Sequence, residues 1–413
     1  MIKTTTNSSK SLWLICTFSI LLGFSYFLAA DMYVPSLPMI TKDFVTNSSV
    51  TRLSISFFLI SLAVSQLVYG PASDKYGRKP ILMTGGIVYL IASILCVLSF
   101  NIETLLIGRF LQGVGAGALM GLSRTIIQDW VSKEKLMQIV GWLSMFFLLA
   151  PAVAPTIGGF VEAYAGWRVS FVIMAVFIAI VLPGIRYVLP ETHPKAKRDT
   201  QALNASHMAK NYLEMLLHAR FMIYIFCMIA GFAGVIAFYT IGPFIFIEKL
   251  GFSAQGFGLL SLLILSCAFI SRFYVALYAL KRFGVTGTIF QGLVLLVGAS
   301  FVLLLLSKLQ AINGVAIMIC LCVYVMGSSL IGPTVVGSAL SFFKHKAGAA
   351  GAMYGFLQMF GMFLVSTIAS FVTPNAIDLA LILLVLSVTA LILFVCVHVN
   401  VRQLLGKHRS LIL

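Results

Sequence analysis

The sequence predicts an all-α membrane protein, and three observations lead to that fold class. Hydrophobic residues make up 60% of the 413 residues and charged residues only 10%, whereas a soluble domain carries about 25% charged residues. The apolar residues gather into runs of about 20 or more, the length that crosses a bilayer as a helix. The longest polar stretch, 191–219, lies midway along the chain and separates two sets of six runs. The chain should therefore form twelve transmembrane helices in two halves.

The apolar runs give the spans in order. Their bounds are 12–40, 50–70, 80–99, 103–128, 137–160 and 166–188 in the first half, and 220–247, 253–279, 284–306, 311–338, 347–372 and 376–400 in the second. The predicted parts are an N-terminal unit of six helices over 1–190, a cytoplasmic central loop over 191–219 and a C-terminal unit of six helices over 220–413. A weak repeat supports two related halves, because KYG at 75–77 follows span two and RFG at 282–284 follows span eight.

Basic residues indicate the orientation of the spans. If the N-terminus is cytoplasmic, twenty Lys and Arg residues fall in cytoplasmic segments and five in outer segments, which is the bias that the positive-inside rule describes. Both termini should therefore be cytoplasmic, and the apolar run after Lys10 should be an uncleaved first helix. The net charge of +16 is spread over short loops, so it does not indicate a nucleic-acid surface. The seven cysteines lie in apolar runs and predict no metal site.

The first span contains the one carboxylate that lies well inside an apolar run, Asp31. The other eleven acidic residues fall in predicted loops or near helix ends. An unpaired charge inside a membrane is costly, and it marks a functional site by default. Asp31 is therefore the leading candidate to carry protons if the protein couples proton flow to other work.

The turn between spans two and three holds a dense motif, GPASDKYGRKP at residues 70–80. Gly70 and Gly77 permit close approach and a tight turn, and Asp74 can pair with basic groups or cap a helix. The motif resembles the signature loop G-x-x-x-D-x-x-G-R-[RK] of the major facilitator superfamily, which ends here in Arg78 and Lys79. The resemblance implies two six-helix bundles around a central cavity, and a loop that latches the halves in the outward-facing state. The alternative is that the basic residues only set topology.

Span four carries RFLQGVGAG from Arg109 onward, which resembles the motif R-x-x-Q-G-x-G of drug exporters in this superfamily. Arg109 lies about 9 Å of helix from Glu103 at the outer end of the span. Asp31 lies at a comparable depth, so the two charges could meet. A dry site makes a carboxylate hold its proton more tightly, and a neighbouring arginine loosens it. Movement of water or Arg109 relative to Asp31 would therefore suit a proton carrier, whereas a fixed structural ion pair is the alternative.

Span five resembles the antiporter motif G-x8-G-x3-G-P-x2-G-G, with alanine at the second and third glycine positions. The matching residues are Gly141, Ala150, Ala154, Pro155, Gly158 and Gly159. Small residues allow a close helix contact, and proline kinks a helix. In the superfamily this motif marks exporters rather than symporters, and ordinary helix packing is the other interpretation.

The first half as a whole resembles the Bcr/CflA branch of drug-proton antiporters. The match includes DMYVPSLP at 31–38, GWR at 166–168 and LPET at 189–192. MdfA-type multidrug exporters are similar, but they carry a second acid eight residues before the aspartate, where this chain has Gly23. One carboxylate therefore remains in the membrane, which argues against a two-acid mechanism.

Aromatic and polar side chains within the spans are candidate walls of a substrate cavity, because such groups suit varied apolar ligands. The candidates are Tyr33, Phe57, Phe58, Gln112, Phe232, Phe238, Tyr239, Tyr354 and Gln358. Arg272 in span eight is a further candidate, which could line the cavity and favour an anionic or polar substrate group, or could have a packing role.

The sequence thus predicts a transporter of the bacterial inner membrane that exports a small, partly apolar molecule against inward proton flow by alternating access. No Walker P-loop is present, so ATP should not be the energy source, and no cofactor beyond the coupling proton is expected. The expected partners are a small-molecule substrate, protons and membrane lipid, without nucleic acid, and the chain should act as a monomer. Two alternatives stay open: proton-coupled or passive uptake of a metabolite, and a non-transporting sensor or scaffold. A membrane-embedded enzyme is not expected, because clustered intramembrane catalytic groups are missing.

Overall fold

A computed structural model describes residues 8–131, 133–198, 203, 205–343 and 346–409, and this part of the chain is helical without β-strands. The first half contains seven α-helices. They are α1 (Ser8–Asp31), α2 (Leu37–Asp43), α3 (Ser48–Tyr76), α4 (Arg78–Val97), α5 (Ile102–Gln128), α6 (Lys133–Ala165) and α7 (Trp167–Tyr187). A short 3-10 turn, Val34–Ser36, joins α1 to α2. Pro35 and Pro38 are the second residues of the 3-10 turn and of α2, where the missing N–H of proline costs least. The first span is therefore a broken helix, in which α1 ends at Asp31 and α2 continues after the turn.

The second half and its connection contain seven further α-helices. They are α8 (Ala205–Leu217), α9 (Ala219–Pro243), α10 (Ala254–Tyr274), α11 (Leu280–Lys308), α12 (Gly314–Ser341), α13 (Ala347–Phe371) and α14 (Ala376–Arg409). Single π-helical turns, Phe244–Lys249 and Val275–Ala279, extend α9 and α10. The short helix α8 lies in the predicted central loop, and the division of the chain at residues 190 and 220 stays a prediction.

Length and composition make ten stretches of the described residues candidates for crossing a membrane. One of them, Ala254–Lys308, holds both α10 and α11, and the chain bends at Gly284 near the start of α11, where φ is +65°. The proline-containing helix α6 is a further long helix, so the described chain accounts for twelve spans. The predicted all-α membrane fold is confirmed.

Polar side chains start several of these helices by accepting hydrogen bonds from free backbone N–H groups. Asn47 accepts from Ser49 at the start of α3, and Asn101 accepts from Thr104 at the start of α5. Such caps satisfy donors that the helix itself leaves unpaired. They fix where α3 and α5 begin, and hence the depth of the residues that follow.

Close packing between helices sets the position of α5. A Cβ atom on Gly113 or Gly117 would overlap α3 at Ser61 or Ser65, and one on Gly115 would overlap the backbone of α4. Small residues let helix backbones approach closely, and this compensates for the weak hydrophobic drive between helices in lipid. The helix that carries Arg109 is thereby held tightly between α3 and α4.

The two halves meet along two helix pairs, α3 with α13 and α6 with α10. Residues 188–198 and 205–218 lie at one end of the helices, here called the linker end, and the opposite end is called the far end. At the far end, Arg52 of α3 is 1% exposed. Its Nη1 donates to the carbonyl oxygens of Ala369 and Val372 at 2.8 and 3.1 Å. Arg52 is one of the five basic residues that the sequence places in outer segments, whereas the structure buries it as a clamp between the halves.

Candidate functional site

A cavity of about 840 Å³ lies between the two halves. Its lining runs from Asp31 and Val34, toward the far end, to Asp74, Asp129 and Tyr212 at the linker end. At the far end the halves are joined by the Arg52 clamp and by a 3.0 Å bond from Thr156 Oγ1 to the carbonyl oxygen of Gly258. The cavity is therefore accessible from the linker end and closed toward the far end.

Asp31 is the last residue of α1, and its side chain lines the cavity while the residue is 7% exposed. Among the described residues, no donor lies within hydrogen-bonding distance of its carboxylate and no basic group lies within 4.0 Å. The hydroxyls of Tyr26 and Tyr239 lie within electrostatic reach of it. The break after α1 thus leaves a carboxylate at the negative end of a helix, facing the cavity without a fixed partner.

Arg109 lies behind the cavity wall and is 0% exposed. Its guanidinium is sandwiched between two rings, 4.2 Å from the centroid of Tyr33 and 4.4 Å from that of Phe58. Its Nη1 donates to the carbonyl oxygen of Ala29 at 2.9 Å and to Oε1 of Gln112 at 2.5 Å. Because Ala29 is in the last turn of α1, Arg109 ties α5 to the end of the helix that carries Asp31.

The two charges expected to meet are neighbours without being in contact. Arg109 is close enough to Asp31 to act on it electrostatically, but no ion pair joins them in the described structure. The Nε and Nη2 groups of Arg109 have no acceptor among the described residues. A buried cation with two unused donors is costly. The Asp31 carboxylate, after a small movement, or a water molecule could accept hydrogen bonds from these two donors. The alternative of a fixed ion pair does not describe this structure.

The antiporter-like segment of α6 touches both halves. A Cβ atom on Gly158 would overlap the carbonyl oxygen of Met32, and one on Gly159 would overlap that of Ala254 in α10. Ala150 and Ala154 are buried, and each directly precedes a proline of α6, Pro151 and Pro155. The hydroxyl of Tyr239 in α9 donates to the carbonyl oxygen of Pro151 at 2.8 Å, an oxygen one turn from Pro155. Gly141 lies in α6 at a position whose surroundings fall outside the described residues.

We expect Gly158→Ala to disturb this contact strongly, because the added methyl group meets backbone next to Asp31 rather than a movable side chain. Overpacking of this kind costs about 1–3 kcal/mol. Transport and the melting temperature of the purified protein should both fall. Gly298→Ala is the matched control, since nothing lies within 4 Å of the Cβ position there. Equal behaviour of the two variants would show that α1 and α6 can separate freely.

The loop at residues 70–80 is the centre of a charged cluster at the linker end. Arg78 contacts Asp74 at 2.6 Å and Asp129, at the end of α5, at 2.9 Å. The backbone N–H groups of Arg78 and Lys79 donate to Glu191 at 2.9 and 3.2 Å, as expected for a carboxylate at a helix N-terminus.

Glycine is required at one corner of this loop. Gly77 has φ +101°, a conformation that side chains disfavour, and a Cβ atom there would lie 2.7 Å from Glu191 Oε2. Gly70 lines the cavity and faces Ala352 of α13 across it. The described bonds of Arg78 and Lys79 reach the first half and Glu191 at the start of the central loop, and the latch role of the loop remains a prediction. Asp129 and Glu191 are partners of this loop to which the sequence assigned no role.

The structure brings six of the cavity candidates to the cavity wall. They are Phe58, Phe232, Tyr239, Arg272, Tyr354 and Gln358. The other four were placed in the cavity wall by the sequence but lie elsewhere in the structure. Tyr33 and Gln112 surround Arg109, Phe238 packs against Phe246 and Phe257, and Phe57 is 39% exposed outside the lining.

Among the cavity residues that sequence reasoning missed, Arg124 is the basic one. Arg124 of α5 lines the cavity, with its guanidinium 5.6 Å from the ring centroid of Phe147. It stands one turn before the predicted end of span four, where a basic residue is easily taken for an interfacial charge. The signal that could have found it is an arginine inside an apolar run. Phe147 also fills the space beside Gly23, so a side chain at the position of the second acid in MdfA-type exporters would have to displace this ring.

Comparisons with known proteins agree with this architecture. Residues 19–366 match the family model described as Major Facilitator Superfamily. The chain is 30% identical over 379 residues to the uncharacterized MFS-type transporter YdgK of Bacillus subtilis (strain 168), covering 88% of this chain and 90% of that protein. It is 25% identical over 334 residues to Multidrug resistance protein D of Escherichia coli (strain K12), covering 81% and 82%.

A solved structure shows the same fold. The xylose transporter XylE from E. coli, in a partially occluded inward open conformation, superposes with a TM-score of 0.71 at 16% sequence identity. The superposition covers 93% of this chain and 97% of that chain.

Proposed function

Because this chain belongs to the Major Facilitator Superfamily and is a multi-pass membrane transporter rather than an enzyme, we propose that it is a proton-coupled antiporter that exports small amphipathic molecules. Export would follow alternating access across the bacterial inner membrane, with both termini and the linker end in the cytoplasm. The described state is then inward-facing. Relatives named for resistance to drugs, among them a bicyclomycin resistance protein homolog of Haemophilus influenzae, support export of such compounds.

The observation that carries the proposal is the unpaired Asp31 carboxylate in the cavity, next to Arg109 with two unused donors. A small shift of the end of α1 would bring the carboxylate toward or away from these donors, and its affinity for a proton would change with it. Arginine itself does not release its proton usefully, so Asp31 is the group that can carry one. The proton is the only coupling ion required, and no other cofactor is needed.

The contact of α1 with α6 offers a route from protonation to movement. Met32, next to Asp31, lies directly against Gly158, and Gly159 on the same segment lies against α10 of the other half. A change in charge at Asp31 thus acts at the helix that joins the halves. In the inward-facing state the carboxylate releases its proton to the cavity and substrate enters. In the outward-facing state substrate leaves and the carboxylate takes up a proton. One chain encloses the whole cavity, so we propose that it works as a monomer within the lipid bilayer.

Everted membrane vesicles test this proposal. The lumen is acidified by respiration, a pH-sensitive dye reports lumenal pH, and compounds are added on the exposed cytoplasmic face. If the protein is an antiporter, addition of its substrate should cause protons to leave the lumen, so that lumenal pH rises. Vesicles without the protein are the control. Further acidification of the lumen on adding a compound would show cotransport, and thus uptake. Absence of any response to a broad panel would contradict proton coupling.

A further inference from the structure

Two arginines from opposite halves face the same cavity. Arg124 projects from α5 and Arg272 from α10. Within the part of the chain that the structure describes, neither guanidinium forms a salt bridge or donates a hydrogen bond, and Nε of Arg272 is buried without an acceptor. The two cations are close enough to repel each other. No carboxylate of the described residues neutralises this pair.

The acids that line the cavity are placed so that they do not neutralise the pair. Asp74 and Asp129 share Arg78 at the linker end, at 2.6 and 2.9 Å. Asp31 lies toward the far end and forms no ion pair with either arginine. Arg124 is exposed to the cavity and Arg272 is half-buried in its wall, so both charges face the cavity, and charged groups inside a membrane protein mark substrate pathways. The cavity therefore holds a positive centre that a bound anion would satisfy.

The surroundings of the pair indicate what the rest of such a ligand resembles. The ring of Phe147 lies beneath Arg124 and holds its guanidinium in place through a cation–π contact at 5.6 Å. Phe232, Tyr354 and Gln358 line the same cavity. Aromatic walls suit an apolar body, and a few polar groups orient it. A cationic ligand of the same shape would meet two like charges at this point.

We propose that the exported molecule is a small amphipathic organic anion whose carboxylate or phosphate-type group binds between Arg124 and Arg272. This assignment rests on the proposed export through this cavity and specifies the substrate class. Arginine matches both kinds of anionic group through paired N–H donors. Because the arginines belong to different halves, an anion that contacts both draws the halves together at the linker end. Binding thereby favours the closed form of that end, as alternating access requires of a substrate.

A series of fluorescent probes with one dansyl body and different charges tests this class directly. The probes are dansylglycine, dansylaminomethylphosphonate, the neutral dansylglycinamide and a dansyl derivative bearing a trimethylammonium group. Saturable binding to the purified full chain in detergent is measured by dansyl fluorescence, without a pH gradient. We expect at least one anionic probe to bind at least about tenfold more tightly than the amide, since one charge-assisted contact supplies that ratio. The trimethylammonium probe should bind most weakly.

Substitutions then locate the binding site. Arg124→Gln and Arg272→Gln should each weaken binding of the anionic probe about tenfold or more and leave the amide unchanged. Arg124→Lys and Arg272→Lys should lose less, because they keep the charge. Arg220→Gln, an exposed arginine outside the cavity lining, is the matched control and should bind like the parent protein. The phosphonate and carboxylate probes together show which anionic group the site prefers.

Three results would overturn the assignment. They are tighter binding of the cationic probe than of both anions, unchanged anion binding in both glutamine variants, and no saturable binding of either anion up to about 1 mM. Failure of proton coupling gives a different pattern, because Asp31→Asn should still bind the anionic probe at least as tightly while losing uphill transport. The ligand class and the coupling mechanism can therefore fail separately.

Discussion

Asp31→Asn is expected to reduce uphill export to the level of vesicles without the protein, while downhill exchange of substrate continues. Asparagine nearly matches the shape of the carboxylic acid but cannot take up and release a proton. Asp31 lines the cavity and forms no ion pair with any described residue, so its loss should not unfold the protein. Uphill accumulation under a pH gradient and counterflow without a gradient, in the same vesicles, separate loss of coupling from loss of transport.

Glu103→Gln is the matched control for this substitution. Glu103 is an exposed acid in the first turn of α5, at the start of the helix that carries Arg109. Its loss should leave both assays at the parent level. Retained uphill accumulation and proton release in Asp31→Asn would remove this carboxylate from the mechanism, and loss of counterflow as well would indicate a structural role instead.

Arg109→Lys is the second substitution for which we expect a large loss. Arginine at this position stacks between Tyr33 and Phe58, and one nitrogen bonds both the end of α1 and Gln112. Lysine is a compact point charge on a flexible stem and cannot form this planar stack. The lost cation–π and charged hydrogen-bond contacts are worth about 2–4 kcal/mol. Uphill export should therefore fall more than about tenfold even though the positive charge is kept.

Arg220→Lys provides the comparison at an exposed site. Arg220 is exposed near the start of α9 and lies outside the cavity lining, and surface substitutions of this kind change stability little. Export and the melting temperature of purified protein should stay unchanged there, whereas both should fall for Arg109→Lys. Full activity of Arg109→Lys would mean that charge alone, and not geometry, matters at this site.

Features that depend on local sequence were predictable here. The spans could be predicted from the length of the apolar runs, because every backbone N–H and C=O group in lipid must be hydrogen-bonded within its own helix. The motifs predicted the turn at Gly77 and the face of small residues on α6, where Gly158 and Gly159 contact the backbone of other helices. Asp31 was found because a carboxylate inside an apolar run has few structural uses.

Features that depend on which face a helix turns inward were not predictable from one sequence. Phe57 and Phe58 are neighbours in α3, yet one points outward and the other lines the cavity. Helices that are apolar on every side give no periodic signal to separate these faces. Arg124 was missed for a related reason. Its proposed role depends on its proximity to Arg272 of the other half, and that residue lies far from it in the sequence.

The clamp at Arg52 has a consequence for how the far end can be loosened. Its acceptors, Ala369 and Val372, contribute main-chain oxygens at the end of α13, and no exchange of side chain removes a main-chain oxygen. A collection of leaky variants should therefore contain changes at position 52 itself and few at the residues that receive its bonds. In the proposed cycle, opening of the far end thus requires this side chain to leave main-chain oxygens of the opposite half, in addition to breaking the bond from Thr156 to Gly258.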